Sequence, residues 1–223
     1  NTEGTEVVQN RTYARIMISA SMKAEDGMEL PLNMSYFAYD PKDLPSNDRM
    51  IADAKDMVRR LTVLRDAPVV DPYTGPAILS GPASGVFFHE IFGHRIEGHR
   101  LKGGGETFKK KVGELVLPAD FQVYCDPTLR SYAGEELNGF YLYDDQGVKA
   151  RRVDVVKDGV LREFLMSRVP LDGFPHSNGH GRTAGGGDPV SRQSNLVVET
   201  TAPHSEAELR SMLIEEAKKQ GKE

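Results

Sequence analysis

Between Ala14 and Ala38 the apolar residues fall on every second position, on both sides of an Asp-Gly pair. Ala14, Ile16, Ile18, Ala20 and Met22 make the first run; Met28, Leu30, Leu32, Met34, Tyr36 and Ala38 make the second. Period two places each run on one face of an extended strand. Ala24-Glu25-Asp26-Gly27 supplies the residue types of a tight turn. The pattern predicts a β-hairpin with one buried face.

The chain then turns through Pro41 and Pro45. Ser46 is placed to cap a helix whose apolar stripe is Met50, Ile51, Ala54, Met57, Val58 and Leu61, with Lys55, Arg59 and Arg60 mostly on a solvated face. Ala77-Ile78-Leu79-Ser80 reads as a buried strand broken by Gly81-Pro82, and a second helix is expected from near Ser84. After the glycines at 103–105 the signals are mainly β: Gly113 to Val116, Phe121 to Cys125, Phe140 to Tyr143, and Arg152–Val156 paired with Val160–Met166 across Lys157-Asp158-Gly159. Pro170 to Arg192 is rich in glycine and reads as loop, and Asn195 to Thr201 as a last strand. Ser205-Glu206-Ala207-Glu208 is a capping box that opens a helix carrying Leu209, Met212, Leu213 and Ala217, with Gly221 at its end. The expected class is α+β, with a largely antiparallel sheet and a few helices. A soft subdivision falls between a hairpin-plus-helix part, 1–72, and the remainder, 73–223.

Composition narrows the possible functions. Charged residues make up 27% of the 223, and the net charge of −5 gives no electrostatic footprint for nucleic acid or an anionic membrane. No apolar run approaches the roughly 20 residues that span a bilayer. The single cysteine, Cys125, allows no internal disulfide, which fits a reducing compartment, and the expectation is a cytoplasmic protein.

The chemistry concentrates in His89-Glu90-Ile91-Phe92-Gly93-His94. Zinc takes nitrogen, sulfur and carboxylate ligands, and a catalytic site keeps a position open for water. Two histidines four apart share one helix face, but five apart they sit ~140° from each other on a regular helix. Either the two are unrelated, or the backbone is locally distorted. Gly93 tolerates distortion, and a π-type irregularity around Ile91 to His94 is the expected form if the pair binds metal. Glu90 then stands where a general base for water would stand. Val86, Phe87, Phe88, Ile91 and Phe92 predict that the motif helix is buried.

The run continues as Arg95-Ile96-Glu97-Gly98, and the whole decapeptide resembles the HExxGHxxEG signature of the TldD/PmbA metallopeptidases, once called modulators of DNA gyrase. Val112 to Val116, Asp144-Asp145-Gln146-Gly147, Asp158 to Leu161, Asn178 to Arg182 and Ser194-Asn195-Leu196 follow in that family's order, and Asn1-Thr2-Glu3-Gly4 is similar to the opening of this region. The resemblance implies a zinc peptidase acting on unstructured peptides, with His89 and His94 as metal ligands and Glu90 as the base. It also implies a homo- or hetero-oligomer with a related subunit. The family's third ligand is a cysteine in a later Cys-Gly-Lys-x-Gly-Gln-type run that this chain does not contain, and its N-terminal domain is also not in the sequence. The expectation is therefore a central fragment, inactive alone, whose zinc site is incomplete.

Other candidates carry weaker readings. Cys125 reads as a small buried hydrophobe rather than a ligand. His99 reads as a surface or substrate contact, while His176 and His180 read as exposed loop histidines with a possible role in a substrate cleft. Glu97 reads either as a partner that orients His94 or as a surface carboxylate at a helix end. The glycine runs 103–105 and 185–187 read as flexible loops. The rival to a peptidase is a non-catalytic peptide-binding or subunit-assembly module.

Overall fold

The computed structural model of the chain describes residues 3–104, 107–183 and 186–222. Asn1 and Thr2 of the opening tetrapeptide, Gly105 of the first glycine run and Gly185 of the second lie outside the described residues. The chain divides into two compact units, Gln9–Thr74 and a larger one made of Asn1–Val8 with Gly75–Glu223.

In the smaller unit the alternating runs form β1 (Ala14–Lys23) and β2 (Glu29–Ala38), paired antiparallel with Ile18 opposite Met34 and Ala20 opposite Leu32. Gly27 takes the left-handed conformation that the turn requires, with φ +88°. Helix α1 (Asn47–Arg65) starts at Ser46, whose hydroxyl accepts from the Arg49 N–H. Its Met57 and Leu61 close over Leu30 and the inward-facing residues of the hairpin. Ile51 and Val58 are more than half exposed, so the buried stripe is narrower than the apolar pattern predicts. A two-stranded hairpin offers the helix too little surface to cover more.

The larger unit opens with α2 (Gly81–Ile91), a 3₁₀ turn over Gly93–Ile96 and α3 (Gly98–Lys102). Strands β3 (Phe121–Cys125), β4 (Ser131–Tyr132), β5 (Glu135–Glu136), β6 (Val153–Lys157), β7 (Val160–Leu161), β8 (Gly181–Arg182), β9 (Val190–Ser191) and β10 (Leu196–Thr200) follow, and α4 (Glu206–Lys219) comes last. The main sheet is antiparallel throughout, in the order β10-β3-β6-β7, which leaves one side of β10 open. Val123, Cys125, Val153 and Val155 of this sheet pack with Phe164, Leu165 and Met166, and with Phe92 and Ile96 from the motif region. The β6–β7 turn is set by Asp158 and Gly159, both at positive φ. The Ser205 capping box of α4 forms in full. The molecule is α+β with antiparallel sheets.

Several expectations need correction. Ala77–Ser80 is not a strand; its residues carry no ladder, and Ile78 and Leu79 are exposed. Instead Ser80 holds the N-cap position of α2, without a side-chain capping bond, and Pro82 sits in the first turn, where the missing N–H costs nothing, so the helix begins at Gly81 rather than near Ser84. Gly113 to Val116 and Phe140 to Tyr143 make only isolated bridges, Leu115 with Val160 and Tyr143 with Lys149. Part of the 170–192 loop is ordered as the short β8–β9 pair. The motif helix is not buried: no residue of α2 is, although Phe88 packs partly against the core. Burial begins at Phe92, just beyond it.

Candidate metal centre

His89 and Glu90 stand in the last turn of α2, which ends at Ile91. The expected π-type irregularity is absent. The Phe92 N–H still bonds to Phe88 at 3.2 Å, an ordinary helical bond, and the Arg95 N–H then closes a tighter 3₁₀ bond to Phe92 at 2.9 Å. Stopping the α-helix and tightening the next turn re-aims the chain as effectively as widening it would. The two imidazoles meet, with ring centroids 4.6 Å apart and planes at 74°.

The carboxylate of Glu90 faces both rings, 3.7 Å from His89 Nε2 and 3.8 Å from His94 Nε2. One donor atom from each of the three residues lies within 4.8 Å of the others, a spacing that fits a divalent cation held by imidazole and carboxylate groups. Among the described residues this is the one group of three such side chains.

The turn is tied to the core from behind. Ile96 accepts from the Leu165 N–H, and the Gly98 N–H donates to the Leu165 carbonyl, both at 2.9 Å. Ile96 and Leu165 are fully buried, so the turn that carries His94 is anchored in the core. Glu97, between those two bonds, is also fully buried; its Oε2 accepts from Arg100 Nε at 2.6 Å, and Arg192 Nη1 lies 3.8 Å away. Burial rules out the surface-carboxylate reading of Glu97, whose Oε1 lies 3.2 Å from His94 Nδ1. Gln193 reaches in from the segment before β10 and sets its amide nitrogen 3.4 Å from both the His89 carbonyl and His94 Nδ1. Neither Arg192 nor Gln193 was signalled by the sequence; only proximity in the fold, about a hundred residues from the motif, reveals them.

Two clefts flank the centre. One, of about 680 Å³, runs from Phe88 and His89 to Asn195 and the open side of β10 at Leu196 to Val198. The other, of about 570 Å³, is bordered by Glu90, His94, Arg95, His99 and Arg100. His99 lines this second cleft outside the group of three, and burial holds its pKa below the usual imidazole value against the pull of the Glu97 charge. His180 corrects the expectation of an exposed loop histidine. It is fully buried, bonded to Asn178 and to the Ser194 hydroxyl, and burial lowers its pKa to about 4. His176 is exposed as expected. Cys125 is fully buried in β3, with its thiol pKa pushed up to about 12 by burial, and it takes no part in the metal group.

Residues 72–219 match the model of the PmbA/TldA metallopeptidase C-terminal domain. The chain belongs to the PmbA/TldD family. It is 33% identical over 123 residues to a metalloprotease of Archaeoglobus fulgidus and 32% identical over 122 residues to one of Methanocaldococcus jannaschii. These matches cover 55% and 54% of the chain but 28% and 26% of the relatives, so the matched region spans about a quarter of their length. Among solved structures, candidate modulators of DNA gyrase from Bacteroides thetaiotaomicron and Thermotoga maritima superpose with TM-scores of 0.65, at 15% and 19% identity. Each alignment covers 89% of this chain, and 41% and 42% of the other. TldE from Thermococcus kodakarensis follows at TM-score 0.57 and 17% identity, over 88% of this chain and 42% of that one. At these identities the PmbA/TldD structures speak for the fold. Among the described residues no helix is long and apolar enough to cross a membrane.

Proposed function

We propose that this chain is a central part of a zinc-dependent peptidase of the TldD type, acting on unstructured peptides. The observation that carries the reading is the meeting of His89 and His94 at 4.6 Å with the Glu90 carboxylate against both. His89 and His94 would hold the zinc through their Nε2 atoms, and the third ligand would be a cysteine outside the 223 residues. When bound, zinc polarises a peptide carbonyl and acidifies water. Glu90 takes the proton of the attacking water and returns it to the departing amine. Its 60% exposed side chain leaves room for water and substrate to reach it.

The peptide enters beside His89, along the open side of β10. An extended chain there completes main-chain hydrogen bonds with the edge strand and needs no particular side chains, which suits an unstructured substrate. Val86 and Phe87, 62% and 44% exposed on α2, support the association with a related subunit. The rival reading, a non-catalytic peptide-binding or assembly module, draws on the same exposed face.

The test uses the intact gene product. Bound zinc is measured together with hydrolysis of an unstructured peptide. Glu90→Gln is expected to abolish hydrolysis and keep zinc, whereas His94→Ala is expected to lose both. An intact protein that binds no zinc, or a Glu90→Gln variant that still cleaves, would overturn the reading in favour of the module.

A further inference from the structure

The Nε2 atoms of His89 and His94 face Glu90, so the orientation of His94 is decided at its other nitrogen. Three polar groups crowd that Nδ1: Glu97 Oε1 at 3.2 Å, Gln193 Nε2 at 3.4 Å and Arg100 Nη2 at 3.5 Å. The first can only accept a hydrogen bond, and the other two can only donate. They call for opposite tautomers. An acceptor needs the proton on Nδ1, which leaves the Nε2 lone pair open; a donor needs the Nδ1 lone pair, which puts the proton on Nε2 and closes that atom to a metal.

The acceptor prevails. Glu97 is the nearest of the three and its side chain has no solvent exposure, so an oxygen without a donor is costly there. Its Oε2 is served by Arg100 and Arg192, whereas its buried Oε1 completes no hydrogen bond with the ring as placed. His94 Nδ1, 3.2 Å away, can supply that donor by a small ring rotation. The two donors stand at the outer limit of a hydrogen bond; the Gln193 amide nitrogen also reaches the His89 carbonyl, and Arg100 is held to the Glu97 carboxylate through its Nε.

We propose that Glu97 is the positioning residue of the centre: it holds the proton of His94 on Nδ1 and so keeps Nε2 free as a metal ligand. Arg100 and Arg192 balance its charge, which lets a carboxylate sit in the core behind the histidine. The proposal rests on the reading of His94 as a ligand.

The direct test needs no metal. Long-range proton–nitrogen NMR of the metal-free chain, recorded at about pH 8 where free imidazole is neutral, reports which nitrogen of His94 carries the proton. The expected result is Nδ1 in the wild type and a shift toward Nε2 in Glu97→Gln, with Glu97→Asp keeping the wild-type pattern. Zinc affinity of the intact gene product, read by competition with a chromophoric chelator, should fall about 10–100-fold in Glu97→Gln. A wild-type spectrum with the proton on Nε2 overturns the proposal whether or not the variants fold. So does a folded Glu97→Gln chain with unchanged tautomer and unchanged zinc affinity. His94→Ala separates the two readings: if it binds zinc as the wild type does, the ligand assignment falls. If it loses zinc while Glu97→Gln does not, only the role of Glu97 falls.

Discussion

The carboxamide of Gln193 fills the space where a side chain at position 93 would stand: a Cβ on Gly93 would lie 2.0 Å from Gln193 Oε1. The glycine of the motif is therefore required less for its own backbone freedom than for the residue packed against it. Gly93→Ala is expected to expel Gln193 and loosen the 3₁₀ turn, at about 1–3 kcal/mol of stability, the usual cost of overpacking. Combining it with Gln193→Ala should recover most of that loss. Urea unfolding of the two single variants and the double variant measures the coupling, and strictly additive losses would refute the contact.

Leu165 bears the turn on its backbone while its side chain is fully buried in the core. Leu165→Ala should cost about 2–5 kcal/mol through the cavity it leaves. Because the two bonds to Ile96 and Gly98 are main-chain bonds, the histidine pair should stay in place as long as the chain is folded. Denaturant unfolding measures the first effect, and zinc titration of the folded variant checks the second.

His180 titrates near 4 when folded, well below the ordinary imidazole value, because burial disfavours its charged form. As the pH falls, the unfolded chain takes up this proton first, so the stabilisation is complete above about pH 6.5 and is lost on the way down to about pH 4. The loss is on the order of 3 kcal/mol. The slope of unfolding free energy against pH over that window should be flatter in His180→Asn than in the wild type. Equal slopes would show that the histidine is not held neutral.

The thiol of Cys125 has no solvent exposure and its pKa is raised to about 12. Thiolate reagents should leave the native chain unmodified at neutral pH and react fully once it is unfolded. Rapid labelling of the native protein, read by mass spectrometry, would contradict the packing of β3.

The elements read most clearly from sequence are those whose cause is local. The β1–β2 hairpin follows from alternation about Asp26-Gly27, and α4 from a capping box that needs only four residues. The elements that local sequence does not reveal are those whose outcome depends on distant neighbours. Leu79 and Ile78 look like core residues, yet among the described residues no strand pairs with them; His180 looks like a loop residue, yet Asn178 and Ser194 close around it. The centre shows the same division. The spacing of His89 and His94 requires a distortion, and one is present, but as a 3₁₀ turn rather than a π-bulge, since Phe92 and Ile96 are drawn into a core built by residues far along the chain. Glu97 was visible as an alternative, whereas Arg192 and Gln193 carried no signal at all.

The contacts of Gln193 with the motif span 99 and 104 residues of sequence. During synthesis, the histidine pair leaves the ribosome long before the segment that braces it. Closing a loop of that length carries an entropic cost that local contacts avoid. The surroundings of His94 are thus completed only once the segment before β10 has been made.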